Sequence, residues 1–89
     1  MTDGDILALL RKALAAAQPE LDPDRIDLDT SLANLGIDSV NLLEVAAIVE
    51  TKLALTFPEE EIFSVSTCRE FVALVQRTSG GDRRAGGSP

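Results

Sequence analysis

The feature that most constrains the fold is an uninterrupted, largely apolar segment in the middle of the chain, residues 39–53, which contains neither glycine nor proline. Its spacing predicts a helix from Ser39 to about Ala54, and Asp38 just before it is a residue typical of helix N-caps. One side of this helix carries Leu42, Ala46, Val49 and Leu53, and the flanking edge carries Leu43 and Ala47. Because apolar side chains cover so much of its circumference, the helix is expected to lie at the centre of a small bundle.

Three further segments have helical patterns. The first covers residues 4–17, with Asp3 as its predicted cap, and it should stop before Pro19 because the residue preceding a proline avoids the helical region. A single helical turn is predicted at residues 59–63, and a last helix is predicted to begin at Ser66 or Thr67. No segment alternates as a strand would. The sequence therefore predicts an all-α fold, a four-helix bundle with a short third helix and a long loop between helices 1 and 2.

The end of the chain differs in composition from the remainder. Residues 80–89 are rich in glycine, arginine and serine and have little apolar surface to bury, so they are expected to form a disordered tail behind a folded domain of residues 1–79. The short apolar run at residues 6–10 follows acidic residues and is not typical of a signal peptide. No segment reaches the ~20 apolar residues that span a bilayer. The predicted location is the cytoplasm.

Composition excludes several functions. The chain has no histidine and one cysteine, Cys68, which excludes histidine-dependent catalysis, histidine-ligated metals and multi-cysteine metal sites. The four aspartates within residues 22–29 lack the spacing of an EF-hand calcium loop, because an oxygen ligand is needed two residues after Asp24 and Ile26 stands there. The net charge of −7 disfavours nucleic acid and anionic membranes and favours partners with basic patches. The simpler alternative is that the acidic charge serves only solubility, as is common for small acidic domains.

Ser39 is the candidate functional residue. It is predicted to lie in the first turn of the central helix, where backbone N–H groups lack intrahelical partners and the helix dipole is positive. A phosphate ester on the Ser39 hydroxyl would be well placed there. The alternative from these residues alone is that Asp38 and Ser39 only cap the helix.

The segment Leu35-Gly36-Ile37-Asp38-Ser39, opening a central helix, resembles the acyl carrier protein family. The loop at residues 26–32, the acidic turn at residues 59–61 and the start of the last helix occur in the same order as in that family, so the resemblance covers about residues 3–78. It implies that a separate transferase attaches 4′-phosphopantetheine covalently to Ser39, with Asp38 helping to engage that enzyme. The thiol of the arm would hold acyl groups as thioesters, and the chain would be a carrier and not an enzyme.

The resemblance also implies two contact regions. A basic patch on a phosphopantetheinyl transferase, acyl ligase, ketosynthase or acyltransferase would meet the second helix. The expected partner-binding residues are Leu42, Glu44, Ile48 and Glu50, with Ile48 on the solvent side as an apolar contact. The acyl chain would lie between helices, where the candidate lining residues are Leu43, Ala47, Val49, Phe57, Ile62, Val65 and Phe71. The simpler alternative for these seven residues is ordinary core packing.

The expected pathway follows from departures from the family's pattern. Asn41, Thr51 and Lys52 stand where carriers of fatty-acid synthesis commonly have acids, which favours polyketide or lipopeptide assembly. The Ile37-Asp38-Ser39 site favours an acyl cargo, because peptidyl carriers usually have a Gly-His-Ser type site. Two alternatives stay open: a peptidyl or aryl carrier of nonribosomal peptide synthesis, and an acidic helical adaptor that is never modified. Met1 and the short tail indicate a stand-alone protein, which is expected to be a monomer.

Overall fold

Helices form most of the part of the chain that the structure describes. In this computed structural model, residues 2–87 are described, with side chains as far as Ser79. The helices are α1 (Asp3–Ala17), α2 (Ser39–Leu53), α3 (Glu59–Ile62) and α4 (Cys68–Gly87), and two 3₁₀ turns (Pro23–Arg25 and Ala33–Leu35) lie between α1 and α2. Within residues 2–87 there is no strand, only an isolated bridge between Ser31 and Thr67. The predicted all-α class, with a short third helix and a long first loop, is confirmed.

Helix α1 begins one residue earlier than predicted. The Thr2 hydroxyl accepts a hydrogen bond from the Asp5 N–H at 3.1 Å, and the Asp5 carboxylate accepts one from the Thr2 N–H at 3.1 Å. This Thr2 N–H bond is the main reason why the pKa of the Asp5 carboxyl lies below its ordinary value. Asp3 is already the first helical residue, so its predicted role as the cap is wrong. The predicted stop before Pro19 is confirmed, since Gln18 is the C-cap.

The other two long helices also have identifiable ends. Asp38 caps α2 by accepting a hydrogen bond from the Asn41 N–H at 2.8 Å. Helix α2 ends at Leu53 because Ala54 adopts the left-handed conformation, with φ of 55°. At the start of α4, the hydroxyl of Thr67 accepts from the N–H of Glu70 at 3.2 Å, and the Glu70 carboxylate accepts from the Thr67 N–H at 3.1 Å. These bonds cap the starts of α2 and α4, and α4 begins at Cys68, one residue after the later of its two predicted starts.

The core lies between α1, α2 and α4. Its largest fully buried side chains are Ile6, Leu10, Leu14, Ile26, Val45, Val49, Cys68, Phe71, Leu74 and Val75. Phe57, from the connection after α2, packs edge-to-face on Phe71 with ring centroids 5.9 Å apart. Burial raises the pKa of the Cys68 thiol to about 11, so this side chain is neutral packing material at physiological pH.

The long loop between α1 and α2 is bound to the start of α4 by backbone hydrogen bonds. The Thr30 and Leu28 carbonyls accept from the N–H groups of Cys68 (3.0 Å) and Arg69 (2.7 Å), and the Leu32 N–H donates to the Ser66 carbonyl at 2.9 Å. The loop thus satisfies N–H groups that the first turn of a helix leaves without partners. It is a fixed part of the bundle, and it holds residues 31–37 beside α2.

The predicted boundary between domain and tail lies within α4. The backbone of residues 80–87 continues the helix where the sequence predicts disorder, while Ser88 and Pro89 lie outside the described residues. The pair Gly80-Gly81 disfavours a helix by about 1 kcal/mol per glycine relative to alanine, so this extension is expected to add little stability.

A chain ending at Ser79 is therefore expected to unfold within about 5 °C of the full chain, which corresponds to less than ~1 kcal/mol for a domain of this size. Thermal melting followed by circular dichroism measures this difference. A decrease well beyond that range would show that residues 80–89 stabilise the bundle and that the domain does not end at residue 79.

Candidate functional site

The Ser39 side chain is exposed at the first residue of α2. Asp38, its neighbour, accepts from the Asn41 N–H through Oδ1, and the Leu42 N–H forms the first turn's bond to the Asp38 carbonyl at 2.8 Å. The two earlier N–H groups, of Ser39 and Val40, have no possible acceptor within the helix. A phosphate on Ser39 would therefore lie at the positive end of a 15-residue helix. The geometry fits a serine that carries a phosphodiester.

The loop before Ser39 is held by contacts from distant parts of the chain. Gly36 has φ of 80°, a left-handed conformation that glycine adopts without steric cost. Its carbonyl accepts a hydrogen bond from the Gln18 side-chain amide at 3.2 Å. The Ile37 N–H donates to the Leu32 carbonyl at 3.1 Å, and the Ile37 side chain is buried. The residues that lead into Ser39 are thus fixed by α1 and by the loop.

A groove of about 430 Å³ opens beside Ser39. Its lining residues are Ser31, Leu32, Ala33, Ile37, Asp38, Ser39, Leu42, Phe63, Val65 and Ser66. One wall belongs to the loop before α2 and the other to the connection between α3 and α4, and the Leu32–Ser66 backbone hydrogen bond joins the two walls. The volume lies in the range of small-molecule sites, ~300–1,000 Å³. It suits part of a flexible chain attached at Ser39.

The seven residues predicted to line an acyl pocket lie in different environments. Val65 borders the groove. Four others, Val49, Phe57, Ile62 and Phe71, are between 0 and 4% exposed and belong to the core. Leu43 is half-buried against that core, and Ala47 is exposed. Their role toward an acyl chain stays a prediction. Apart from Val65, the residues that line the groove beside Ser39 are not among the seven.

The residues predicted to contact partner enzymes also differ in how far they are exposed to solvent. Glu44 is exposed, as expected. Leu42 is buried and lines the groove, and Ile48 is half-buried against the core, so Ile48 faces solvent only in part. Glu50 accepts a hydrogen bond from the Phe57 N–H at 2.6 Å. Its carboxylate therefore binds the connection between α2 and α3, and a role of Glu50 toward partners stays a prediction.

Sequence reasoning did not identify Phe63 and Val40 as site residues. They are the large apolar side chains classed as exposed in the described part of the chain, at 47% and 66%. Val40 follows Ser39, and Phe63 lines the groove. The available signal was that Val40 lies next to Ser39 in the sequence and that Phe63 follows the acidic residues 59–61. Periodicity alone does not show which apolar residues the fold leaves exposed to solvent.

Among residues 2–87, no cluster of three or more His, Cys, Asp or Glu side chains could hold a metal ion. In the same range, no helix combines the length and the apolar character that crossing a membrane requires.

Sequence comparison gives several similarities. The family model described as "Phosphopantetheine attachment site" matches residues 6–75. An acyl carrier protein of Streptomyces coelicolor is 35% identical over 69 residues, covering 76% of this chain and 75% of that protein. An acyl carrier protein of Treponema pallidum is 33% identical over 73 residues, covering 81% of this chain and 94% of that protein. The non-reducing polyketide synthase pigA of Monascus ruber is 32% identical over 69 residues, but the chain spans only 3% of its length.

Structural comparison agrees. The solution structure of the 3,7-dioxo-octyl actinorhodin acyl carrier protein from Streptomyces coelicolor has a TM-score of 0.73 and 27% identity, covering 92% of this chain and 94% of that one. The hexanoyl form from the actinorhodin polyketide synthase has a TM-score of 0.67 and 30% identity, covering 78% and 84%. Both similarities extend over most of the bundle that surrounds Ser39.

Proposed function

The chain belongs to the phosphopantetheine-attachment family of acyl carrier proteins, and on that premise we propose that Ser39 is the residue that carries the arm. Domains of this family are carriers and do not catalyse reactions themselves. The 4′-phosphopantetheine arm supplies a thiol that holds acyl groups as thioesters. The protein supplies a fixed attachment point and a surface that its partner enzymes contact.

The observation that carries this proposal is the exposed Ser39 hydroxyl, at the first residue of α2 and on the rim of a groove. The positive end of α2 favours the negative charge of the phosphodiester, and exposure gives a transferase access. The sequence has no histidine that could act as a general base for Ser39. A phosphopantetheinyl transferase would therefore activate the hydroxyl, and the exposed Asp38 carboxylate beside it would engage that enzyme.

Incubation with coenzyme A and a broad-specificity transferase tests the function. The intact mass is expected to increase by one phosphopantetheine. An unmodified acidic adaptor would keep its mass. Loading the modified protein with acyl and with aminoacyl ligases then separates an acyl carrier from a peptidyl or aryl carrier, since the latter should accept aminoacyl or aryl groups in preference.

We propose acyl chains of the polyketide type as the cargo. Support comes from the similar actinorhodin carrier structures, which carry hexanoyl and 3,7-dioxo-octyl groups, and from the similar segments of polyketide synthases. The groove is lined by the apolar residues Leu32, Leu42, Phe63 and Val65 and by polar residues that include Ser31, Asp38 and Ser66. Such a mixed lining suits the first carbons of a chain that still has polar groups. Fatty-acid and lipopeptide assembly remain alternatives with the same arm.

The face that meets partner enzymes is proposed to centre on Val40, Glu44 and Phe63. Val40 and Glu44 are four residues apart and therefore share one face of α2. Phe63 directly follows α3, and the first two residues of α3 are the exposed acids Glu59 and Glu60. A ketosynthase, acyltransferase or acyl ligase with an apolar contact inside a basic patch would complement this face.

Reversal of the charge at Glu44 tests that face. Glu44→Lys is expected to lower kcat/KM with a transferase by roughly threefold to tenfold at low salt, because it places a repulsive charge against a basic patch. The difference should shrink as salt screens it. Asp24→Lys is the matched control, since it makes the same change in net charge at an exposed loop position outside α2 and α3. Equal rates for both variants at low and at high salt would show that α2 is not the docking face.

A further inference from the structure

The peptide unit between Gly36 and Ile37 is held on both sides. Its carbonyl accepts from the Gln18 side-chain amide at 3.2 Å, and its N–H donates to the Leu32 carbonyl at 3.1 Å. Ser39 follows this unit after one intervening residue, the cap Asp38. The orientation of the unit therefore sets the direction in which the chain enters α2.

Gln18 is itself well anchored. It is the C-cap of α1, and its N–H donates to the Leu14 carbonyl at 2.8 Å. Its own carbonyl accepts from the Leu21 N–H at 3.0 Å. With its backbone fixed at both groups, the half-buried Gln18 side chain connects the end of α1 to Gly36, 18 residues further along the chain.

We propose that Gln18 is a positioning residue for the modification of Ser39, an inference that rests on the proposed function. Gly36 lies on the surface, so water can replace the amide if the side chain is removed, and the fold should survive. A water molecule does not fix the orientation of the Gly36 carbonyl as the anchored Gln18 side chain does. Without Gln18, the Gly36–Ile37 peptide unit has a hydrogen bond to the protein on one side only. The Ser39 hydroxyl then meets the transferase in more than one orientation.

Gln18→Met tests the inference, because methionine keeps the length of the side chain and removes its hydrogen-bond donor. We expect kcat for phosphopantetheine transfer to decrease roughly fivefold, the factor that a hydrogen bond of ordinary net strength corresponds to. The KM for coenzyme A should not change, since the transferase binds that substrate. The Ile37 amide resonance should shift, because this N–H belongs to the same peptide unit as the Gly36 carbonyl.

Gln76→Met is the matched control. The Gln76 side chain also donates a hydrogen bond, to the Asp3 carboxylate at 2.7 Å, but Gln76 is exposed and lies on α4, away from the loop before Ser39. This variant should keep the wild-type kcat. Gln18→Glu, which replaces the donor by an acceptor of the same size, provides a second variant and should be at least as slow as Gln18→Met.

The outcomes separate the inference from its premise. If the wild-type protein gains no mass, the attachment proposal fails before any variant is compared. If Gln18→Met is modified as fast as Gln76→Met, or if the Ile37 resonance does not move, Gln18 does not position Ser39. If neither Gln18 variant folds, the residue is required for the fold and the positioning role is overturned.

Discussion

Replacement of Ser39 by alanine is expected to abolish the covalent attachment of phosphopantetheine completely. The reaction joins the phosphate to the serine oxygen, and alanine offers no atom for that bond. The intact mass after incubation with coenzyme A and a transferase should remain that of the unmodified chain. Because Ser39 is exposed and alanine is a good helix former, the free energy of unfolding should change by no more than ~0.5 kcal/mol.

A second serine on the same groove provides the control. Ser66 is exposed and lines the groove opposite the start of α2, so Ser66→Ala removes a nearby hydroxyl without touching the proposed attachment point. This variant should be modified fully. A mass gain that persists in Ser39→Ala, or one that disappears in Ser66→Ala, would contradict the assignment of Ser39.

Local sequence patterns predict where the central helix begins and that Ser39 lies in its first turn. The Asp38 cap needs only a residue that accepts from the N–H three positions later, and the structure forms that bond at 2.8 Å. The apolar period of residues 39–53 and the proline after Gln18 likewise act within one or two helical turns. Because these signals are local, they can be interpreted without knowledge of the tertiary fold. They predict Ser39 in the first turn of the central helix, where the structure has it.

The surroundings of Ser39 depend on contacts that no local pattern encodes. Gln18 meets Gly36 across 18 residues, and Leu32 bonds to Ser66 across the groove. Ile48, predicted on the solvent side, is half-buried because it packs against the core, a contact that helical geometry alone does not show. The same limitation explains why core and groove residues were not distinguished among the predicted pocket residues.

The same substitution at two phenylalanines is expected to separate core from groove. Phe71 is fully buried and packs edge-to-face on Phe57, so Phe71→Ala should destabilise the fold by about 3–5 kcal/mol. Domains of this kind have only about 5–15 kcal/mol of stability, so the melting temperature should fall steeply. Phe63 is 47% exposed and lines the groove, so Phe63→Ala should cost less than about 1 kcal/mol.

The two variants should affect the thioester in the opposite order, with the larger effect in Phe63→Ala. After loading with an acyl group, Phe63→Ala is expected to change the hydrolysis rate of the thioester and the transfer rate to a partner enzyme, because it opens one wall of the groove beside Ser39. The folded fraction of Phe71→Ala should keep wild-type values for both rates. If Phe71→Ala folds stably and loses protection of the thioester while Phe63→Ala does not, the acyl chain lies within the bundle, between the residues that the family resemblance implies, and not in the groove.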